Sequence, residues 1–461
     1  MDGYQFWENK LNKAQYAVAP MVDQSELPWR LLSRKYGAQL CYTPMLHASV
    51  FVKDARYRKD NLASCAEDRP LIIQFCANDP DVLYEAAKLC QGHCEGIDLN
   101  LGCPQAIARR GHYGAYLQDD WDLIFKIVNK IHTELDIPIT CKIRIFPEVE
   151  KTIRYAQMIE SAGCMVLTVH GRLREQKGPF TGLADWKTIK AVKQSVKIPV
   201  FANGNIQYFK DIHECLKETG VDGVMTAEGN LHNPCLFMDR DTITWEVAEE
   251  YLILAKKYPC PFSYIRGHLF KIFHHCLTLE STQDLRDQLA KANTMEQFEQ
   301  FVHDIKELFL NFKQDWKTLC PSLPFPPWIC QPYERPSPKT ECTTSGEKNI
   351  IYSPKKRQFT QDELDLGLSK KKMKKLLKYP KKNFTSDRIL LKSCSNCPNP
   401  KGLKCDYEMC KSCCRNKTFT SNGSCSGHKF KFSHRKTISG ENEVNTTEVL
   451  KITQSKNCID T

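Results

Sequence analysis

The chain has 461 residues, 41% of them hydrophobic, which is enough for two or three domains with a buried core. No apolar run reaches the roughly 20 residues that a membrane span needs, and the first residues lack the basic and apolar regions of a secretory signal. These features argue against a membrane or secreted protein. Together with the 23 cysteines they predict a reducing compartment, cytoplasmic or nuclear, where cysteines serve as thiols or metal ligands.

The positive charge of the chain is concentrated near its C-terminus. The formal net charge is +11, of which residues 331–461 carry +14, so that residues 1–330 carry −3. A nearly neutral body with a basic extension is typical of a catalytic domain with a polyanion-binding tail. A tail that only increases solubility or directs localisation is the alternative.

Eight short apolar segments alternate with amphipathic helices between residues 14 and 250. The predicted strands cover residues 16–21, 40–45, 71–77, 97–101, 139–145, 166–170, 199–202 and 223–227. Their nearly continuous Val, Ile and Leu content is typical of parallel strands that are covered on both faces. Eight such β–α units predict an α/β fold, a (β/α)8 TIM barrel. A doubly wound sheet is the alternative, but no GxGxxG motif follows the first strand.

Polar residues and glycines cluster at the C-terminal ends of these strands, where barrel enzymes place their active sites. In chain order they are Asp23, Gln74, Asn100, Lys142, Arg144, His170, Arg172, Asn203, Gly204, Asn205, Glu228 and Gly229. One polar residue on a strand is usually a satisfied core group, whereas a set at the ends of different strands indicates a site. The glycine turns after the seventh and eighth strands resemble phosphate cradles, in which backbone N–H groups bind an anion. They favour a phosphorylated cofactor or substrate, and FMN is the common choice.

A constrained turn follows the fourth predicted strand, in the sequence Asp98-Leu-Asn-Leu-Gly-Cys-Pro104. The glycine permits a sharp turn and the proline stops the strand, so that the thiol of Cys103 is presented just past the strand end. This placement makes Cys103 a candidate catalytic residue. The alternative is that Cys103 is one of many small buried residues, and that Asp98 and Asn100 only cap the strand.

The segment after this turn, residues 107–117, is basic, aromatic and interrupted by glycines. We interpret it as a mobile loop beside the active site, in which Arg109 and Arg110 could hold a phosphate backbone. An ordinary solvated loop is the alternative.

The region after the barrel changes character twice. Residues 259–320 have wholly helical periodicity and a basic, aromatic flank, which predicts a small helical domain able to contact RNA. Residues 321–390 are first Pro-rich and then Lys-rich, as in a linker. The lysine runs could bind nucleic acid, act as a nuclear localisation signal or be disordered.

A cysteine cluster between residues 391 and 435 is the last distinct unit, and residues 436–461 read as a disordered tail. Its candidate metal ligands are Cys394, Cys397, Cys405, Cys410, Cys413, Cys414, Cys425 and His428. Eight such ligands are enough for two tetrahedral zinc sites, and the segment has too few apolar residues to fold without metal. One zinc ion or free thiols are the alternatives, and the sequence does not reveal which ligands share a metal.

Five motifs together resemble the tRNA-dihydrouridine synthases. They are Ala19-Pro-Met-Val-Asp23, Asn100-Leu-Gly-Cys-Pro104, Cys141-Lys-Ile-Arg144, Thr168-Val-His-Gly-Arg172 and Asn203-Gly-Asn205. Residues 23–27, 111–115 and 227–234 are similar to the eukaryotic branch that acts on D-loop uridines 16 and 17. The resemblance implies an FMN enzyme that reduces the C5=C6 bond of uridine in tRNA, with NADPH or NADH reducing the flavin. It also implies that tRNA is the partner, and we expect a monomer that binds no membrane.

The resemblance assigns roles to individual residues. Hydride would add to C6 of the uracil from the flavin, and Cys103 would donate the proton to C5, because a thiol pKa lies close enough to neutrality for a general acid. The cofactor would be held by Pro20, Met21, Val22, Gln74, Lys142, His170, Asn203, Gly204, Asn205, Ala227 and Glu228. Asn100 would hold the uracil edge. The tRNA contacts would come from Arg109, Arg110, Arg144 and Arg172.

Two departures from the family pattern accompany this resemblance. The bacterial relatives have Gly-Arg where this chain has Ala227-Glu228, so that backbone N–H groups and Arg172 would have to bind the phosphate. The lysine that usually follows the Gly-Cys-Pro turn is also absent, and Arg109 or Arg110 is its candidate replacement. The zinc-like tail lies outside the region that these relatives share.

Two other functions are alternatives to the tRNA reductase. An FMN-dependent barrel oxidoreductase acting on a small molecule would share the phosphate turns but would not need the basic tail. A non-catalytic RNA-binding scaffold would not need Cys103, Lys142 and His170 at the strand ends.

Overall fold

The computed structural model describes residues 1–333, 393–402, 404–421, 423–428 and 430. They belong to two compact units, which comprise residues 1–352 and 353–461. The Lys-rich part of the predicted linker and the predicted tail beyond residue 436 lie outside the described residues. None of the helices in the described residues is long and apolar enough to cross a membrane.

Nine parallel strands form the sheet of the first unit. They are β1 (Tyr16–Val18), β2 (Leu40–Tyr42), β3 (Leu46–His47), β4 (Leu71–Cys76), β5 (Gly96–Leu101), β6 (Ile139–Arg144), β7 (Leu167–His170), β8 (Val200–Asn203) and β9 (Gly223–Thr226). Eight of them close into a barrel, because β2 pairs with both β1 and β4 while β9 pairs with β1. The ninth, β3, pairs with the end of β4 beside the ring. The predicted TIM barrel is therefore confirmed, and each of its eight predicted strands has an observed counterpart.

Helices cover the barrel and continue beyond it. They are α1 (Gly3–Asn9), α2 (Leu27–Lys35), α3 (Ala48–Lys53), α4 (Ala55–Asn61), α5 (Pro80–Lys88), α6 (Ala106–Gly111), α7 (Trp121–Glu134), α8 (Val149–Ser161), α9 (Trp186–Ser195), α10 (Phe209–Thr219), α11 (Glu228–His232), α12 (Thr244–Lys257), α13 (Phe262–Ile272), α14 (Gln283–Lys291), α15 (Met295–Leu310) and α16 (Trp316–Leu319). The sequence explains α7 well: the Asp120 side chain accepts a hydrogen bond from the backbone of Leu123 at the start, and Ile124, Ile127 and Ile131 recur at helical spacing and are fully buried.

The helical domain begins earlier and ends later than the predicted range 259–320. Helix α12 packs against α15, α13 and α2, so that it belongs to the core of this domain. Residues 320–333, assigned almost entirely to the predicted linker, also pack here: the Trp328 ring packs against Phe309 with a centroid distance of 5.5 Å, and Cys330 is buried. Their apolar side chains explain the difference, because the prolines alone had suggested an exposed spacer.

A buried polar cluster joins the barrel to the helical domain. Glu26, just before α2, accepts hydrogen bonds from Tyr251 (2.7 Å) on α12 and from His268 (3.1 Å) on α13. The His268 ring stacks on Trp29 of α2 with a centroid distance of 3.9 Å. Burial would raise the pKa of Glu26, but the neighbouring His268 and the hydrogen bonds outweigh it and lower that pKa.

We expect Glu26→Gln to destabilise the protein in a pH-dependent way. At neutral pH the loss should be about 1–3 kcal/mol, because the buried partners lose a charged acceptor. The lowered pKa means that this contribution is complete above the unfolded-state pKa and is lost as the pH falls through the folded-state pKa. Urea unfolding at pH 7 and at pH 4 measures this difference. The control Glu249→Gln removes a partly exposed ion pair with Lys306 and should change little; an equal effect of both substitutions would contradict the prediction.

The second unit contains a small metal-ligand module. Strands β10 (Ser393–Cys394) and β11 (Cys397–Pro400) pair antiparallel, and helix α17 (Lys411–Thr420) follows. A backbone bridge between Cys425 and Phe430 closes the last turn.

Candidate active site and metal centre

The Cys103 turn is fixed from two sides. The side-chain oxygen of Asn100 accepts hydrogen bonds from the backbone N–H groups of Cys103 (2.9 Å) and Gly102 (3.2 Å). Ala115 donates its backbone N–H to the Cys103 carbonyl at 3.1 Å. Gly114 allows this approach, because a Cβ there would lie 2.8 Å from the same carbonyl oxygen, and its φ is +62°. The backbone that carries the thiol is therefore held in one position.

Residues 107–117, predicted as a mobile loop, are largely helical, and their mobility stays a prediction. Residues Ala106–Gly111 form α6, which ends at His112 in the left-handed conformation with φ of 50°. A 3-10 turn follows at Gly114–Tyr116, and Tyr113 is buried against Cys76 and Ala108. Gly111 and Gly114 permit close contacts with Tyr113 and Cys103, so that this segment packs beside the Cys103 turn.

A buried polar network lies beneath the turn. The amide nitrogen of Asn100 donates to the side-chain oxygen of Gln74 (2.8 Å), and the amide nitrogen of Gln74 donates to Asp98 (2.8 Å). Thr140 donates to the other oxygen of Asp98 at 2.6 Å. Burial raises the pKa of Asp98 to about 6, although the hydrogen bonds from Thr140 and Gln74 oppose this rise. Gln74 is 0% exposed, so the structure places it under the site, and its flavin contact stays a prediction.

Lys142 lies beside this network on β6. Strand register places it opposite Asn100 on β5, and its ammonium donates to the side-chain oxygen of Asn203 at 2.7 Å. The amide nitrogen of Asn203 donates to the Met225 carbonyl at 2.8 Å, which fixes the acceptor. Burial, followed by the charge of Arg144, lowers the pKa of Lys142 to about 7. A proton and a positive charge are thus available here near neutral pH.

Arg144 connects the Cys103 turn to the segment after β7. Its Nε donates to the Gly102 carbonyl at 2.8 Å, and its Nη1 donates to the Leu173 carbonyl at 2.7 Å. The guanidinium of Arg144 is thus bound to two backbone carbonyls, and Arg144 also lines the cavity described below. Its contact with tRNA stays a prediction.

The turn after β8 forms the other end of the site. Gly204 has a φ of +113°, and a Cβ there would lie 2.6 Å from the Cβ of Ala184. Arg172 donates to Asn205 at 3.0 Å and approaches Nε2 of His170 at 3.0 Å. Burial and the nearby cations lower the pKa of His170 well below its ordinary value, so that its ring is neutral at neutral pH. Arg172, predicted to contact the substrate, therefore lies at the glycine turn.

A cavity of about 680 Å³ opens between these strand ends. Its volume lies within the range of roughly 300–1,000 Å³ that is typical of small-molecule and cofactor sites. The predicted residues that line it are Arg144, His170, Arg172, Asn203, Gly204, Asn205, Ala227 and Glu228. The cavity is also lined by Pro104 and Gln105, which follow Cys103, and by Tyr333, at the end of the segment 320–333 that packs on the helical domain.

The segment Pro20–Val22 lies outside the lining of this cavity. Met21 packs against both the barrel core and the helical-domain core, and Val22 is 56% exposed. The Met21 backbone N–H donates to Ser25 at 3.0 Å, which fixes the turn. A flavin contact by Pro20, Met21 and Val22 stays a prediction.

A second pocket of about 420 Å³ adjoins the site, and the sequence did not predict it. We call it the basic pocket; it is lined by Arg109, Tyr116, Arg174, Glu175 and Lys177. Lys177 donates to the Pro104 carbonyl (2.8 Å) and to the Tyr116 hydroxyl (3.1 Å), and Arg174 lies over the Tyr116 ring. Arg109 lines the same pocket, as predicted for a phosphate contact, whereas Arg110 is exposed next to it on α6. Arg172, Arg174 and Lys177 follow β7 in the sequence and could have indicated this pocket. Only the fold shows that Lys177 lies next to the Cys103 turn.

The model of the dihydrouridine synthase family matches residues 17–314. The chain belongs to this family. A mouse protein named tRNA-dihydrouridine(16/17) synthase NAD(P)(+)-like is 52% identical over 94% of this chain and 91% of its own length. The Schizosaccharomyces pombe tRNA-dihydrouridine(16/17) synthase is 47% identical over 64% of this chain and 77% of its own length. A human tRNA-dihydrouridine(20a/20b) synthase-like protein is 36% identical over 54% of this chain and 79% of its own length. The family resemblance drawn from the strand-end motifs is confirmed.

The module of residues 393–430, which we call the Cys/His module, lies outside the residues that match the dihydrouridine synthase model. Its eight predicted ligands form two groups of four, and within each group the ligand atoms lie within 4.8 Å of one another. One group consists of Cys394, Cys397, Cys410 and Cys413, and the other consists of Cys405, Cys414, Cys425 and His428.

Proposed function

We propose that this chain is a tRNA-dihydrouridine(16/17) synthase that reduces the C5=C6 bond of uridine with FMN as cofactor and NADPH or NADH as reductant. The observation that carries the proposal is the rigid Cys103 turn beside the strand-end cavity, in a chain of the dihydrouridine synthase family. The greater identity to the 16/17 enzymes than to the 20a/20b protein supports the choice of uridines.

The residues around the cavity fit FMN. The turn at Gly204 has no room for a side chain, because a Cβ there would lie 2.6 Å from the Cβ of Ala184. Arg172 and the backbone of residues 203–205 line the cavity at this turn and would provide donors for a phosphate. Lys142 supplies a positive charge at the strand ends that would stabilise a reduced flavin ring. When bound, FMN supplies the hydride for C6 of uracil and is renewed by the nicotinamide cofactor.

The residues of this chain would supply the proton and the orientation. Cys103 would donate a proton to C5, and its fixed backbone means that little reorganisation is needed when the base arrives. Asn100 commits its side-chain oxygen to the turn and its amide nitrogen to Gln74, so its first role is to position Cys103. Contact with the uracil edge is left to the remaining N–H of its amide.

The basic pocket would hold the tRNA backbone. Arg109 and Lys177 offer positive charge within this pocket, and the Tyr116 ring offers a stacking surface. Arg174 also lines the pocket, but it forms ion pairs with Asp119 (2.6 Å) and with Glu175 (3.1 Å), which is itself part of the lining. Uridine must leave its stack to reach the cavity, and phosphate contacts beside the opening would offset part of that cost.

Glu228 lines the cavity where bacterial relatives carry an arginine, so we propose that its side chain does not bind the phosphate. Arg172 at the neighbouring turn takes that role, since it lies 3.0 Å from Asn205. This arrangement places the phosphate-binding charge on the segment after β7 rather than after β9.

We expect Gly204→Ala to weaken FMN binding at least tenfold. The added Cβ would collide with Ala184 and lie 3.2 Å from Nη1 of Arg172, and the positive φ adds strain of about 1–3 kcal/mol. Gly220→Ala is the matched control, because Gly220 has a φ of +69° but open space around its Cβ. Quenching of flavin fluorescence measures the affinity. Equal FMN affinities for the two variants would remove Gly204 from the cofactor site.

Three further properties belong to this proposal. The protein acts as a monomer, it works in the cytoplasm, the nucleus or both, and its Cys/His module binds zinc. Support for zinc comes from the donor set, because cysteines with one histidine in groups of four are typical of structural zinc sites.

The deciding experiment is a nucleoside-resolved map of dihydrouridine in unmodified tRNA incubated with the protein, FMN and NADPH. We expect dihydrouridine at positions 16 and 17 of the D-loop. Oxidation of NADPH by a small enone or pyrimidine, without dihydrouridine in any tRNA, would favour the small-molecule oxidoreductase. FMN binding with neither reaction would favour the RNA-binding scaffold.

A further inference from the structure

We propose that the Cys/His module holds two zinc ions in interleaved sites, one with four sulfur ligands and one with three sulfurs and a nitrogen. The four-sulfur site consists of Cys394, Cys397, Cys410 and Cys413. The His-containing site consists of Cys405, Cys414, Cys425 and His428. This inference deepens the zinc proposal and is independent of the reductase activity.

The spacing of the ligand atoms matches a tetrahedral metal. Zinc–sulfur bonds of about 2.3 Å place two ligands of a tetrahedron about 3.8 Å apart. In the four-sulfur site, the Cys397 sulfur lies 3.6 Å from those of Cys410 and Cys413. In the His-containing site, the Cys425 sulfur lies 4.0 Å from that of Cys405 and 3.8 Å from Nδ1 of His428. Both groups therefore already have the separation that a shared zinc ion requires.

Backbone N–H groups support the sulfurs in both sites. The N–H of Asn396 donates to the Cys394 sulfur at 3.4 Å, and its side-chain amide donates to Cys413 at 3.7 Å. The N–H of Met409 donates to the Cys405 sulfur at 3.3 Å. Donors aimed at sulfur stabilise the thiolate form that binds metal and orient the ligand.

Two glycines hold the His-containing site together. A Cβ at Gly427 would overlap the Lys404 carbonyl oxygen, so only glycine lets the 425–428 turn lie against the loop that carries Cys405. Ser426 fastens this contact by hydrogen bonds from its backbone N–H (2.7 Å) and hydroxyl (3.0 Å) to Asp406. A Cβ at Gly402 would likewise meet the ring of His428. Ligands that are twenty residues apart are thus fixed in one site.

The order of the ligands along the chain makes the two sites depend on each other. Cys405 of the His-containing site lies in the chain between the two ligand pairs of the four-sulfur site. The adjacent residues Cys413 and Cys414, in the first turn of α17, belong to different sites. The chain segments that carry the two sets of ligands therefore overlap, and a single helical turn carries one ligand of each metal. Loss of either metal should therefore weaken binding of the other.

The alternative is a consecutive arrangement, in which the first four ligands along the chain bind one zinc ion and the last four bind the other. The two arrangements differ in two residues. Cys405 would move to the four-sulfur site, and Cys413 would move to the His-containing site. Substituting each of these by histidine preserves a metal ligand and changes the donor set of one site only.

The test uses the full-length protein loaded with ¹¹³Cd in place of zinc, after elemental analysis of the protein as purified. We expect two zinc ions per chain, and two cadmium resonances that differ because their donor sets differ. His428→Cys identifies the resonance of the His-containing site, since only that site becomes four-sulfur. Cys405→His should then shift the His-containing resonance alone, and Cys413→His should shift the four-sulfur resonance alone.

Several outcomes would overturn the proposal. The reverse pattern of shifts would establish the consecutive arrangement. One zinc ion per chain, iron in place of zinc, or no metal would also refute the two-zinc module, whatever the reductase assay shows. Cys65→His, at a thiol of the first unit that belongs to neither group, is the control and should leave both resonances unchanged.

Discussion

Cys103→Ala should lower the rate of dihydrouridine formation by about 10²–10⁴-fold, the usual contribution of a positioned general acid. Reduction of the bound flavin by NADPH should be unchanged, because no proton from the thiol is needed for that step. The melting temperature should change little, since the turn is held by the Asn100 side chain and the backbone groups of residues 102, 103 and 115 rather than by the thiol. Stopped-flow measurements that follow flavin reduction by NADPH and its reoxidation by tRNA separate the two half-reactions.

Cys76→Ala is the matched control for this substitution. Cys76 belongs to the same small cluster as Cys103 but is buried, so its loss should cost stability and leave the reoxidation rate within a few-fold of the original. If Cys103→Ala reoxidised at the normal rate with tRNA, the proton would have to come from another group. If Cys76→Ala lost the tRNA reaction instead, the assignment of the two thiols would be reversed.

Lys142→Met should slow flavin reduction by about 10²–10³-fold, because it removes the positive charge expected to stabilise the reduced ring. The rate of the unmodified protein should fall as the pH rises through about 7, where the lowered pKa of Lys142 makes the ammonium lose its proton. The variant should lack this pH dependence. Measuring flavin reduction by NADPH between pH 6 and 9 tests both statements.

The same substitution should not lower the free energy of unfolding, although it slows flavin reduction. The pKa of Lys142 is about 7 in the folded protein, below the ordinary value of 10.5, so the folded state disfavours the charged form. That cost is fully present below pH 7 and is relieved as the pH rises toward 10.5. Lys142→Met should therefore be at least as stable as the parent at pH 6, with a difference that narrows at higher pH. A destabilised variant that reduces flavin normally would make Lys142 a structural residue.

Much of the fold could be predicted because parallel barrel strands carry a strong local signal. Continuous apolar runs identified all eight ring strands, whereas β3 has two residues and no readable pattern. Helix α6 was missed because the glycines and arginines around it are also typical of loops. The chain after it lies against the Cys103 turn through the close approach of Gly114, which no local pattern reveals.

The sequence predicted which residues lie at the candidate site better than it predicted what each of them does there. Cys103, Lys142 and His170 were found because barrel sites lie at strand ends. The hydrogen-bond chain through Asn100, Gln74 and Asp98 depends on strand register, which only the closed sheet determines. The division of the metal ligands likewise depends on which loops meet in space.

The position of Trp29 has a consequence for how the two ligands of this protein affect each other. Its ring stacks on His268 of the helical domain, and its indole N–H donates to Asn230 at 2.8 Å, three residues after Ala227 at the rim of the cavity. One side chain thus contacts the domain expected to bind tRNA and the helix α11, which borders the proposed cofactor cavity. Any shift of that helix on tRNA binding would alter cofactor affinity, and thermodynamic reciprocity requires the cofactor to alter tRNA affinity by the same factor. The cofactor-free protein and the loaded protein should therefore bind tRNA with different affinities.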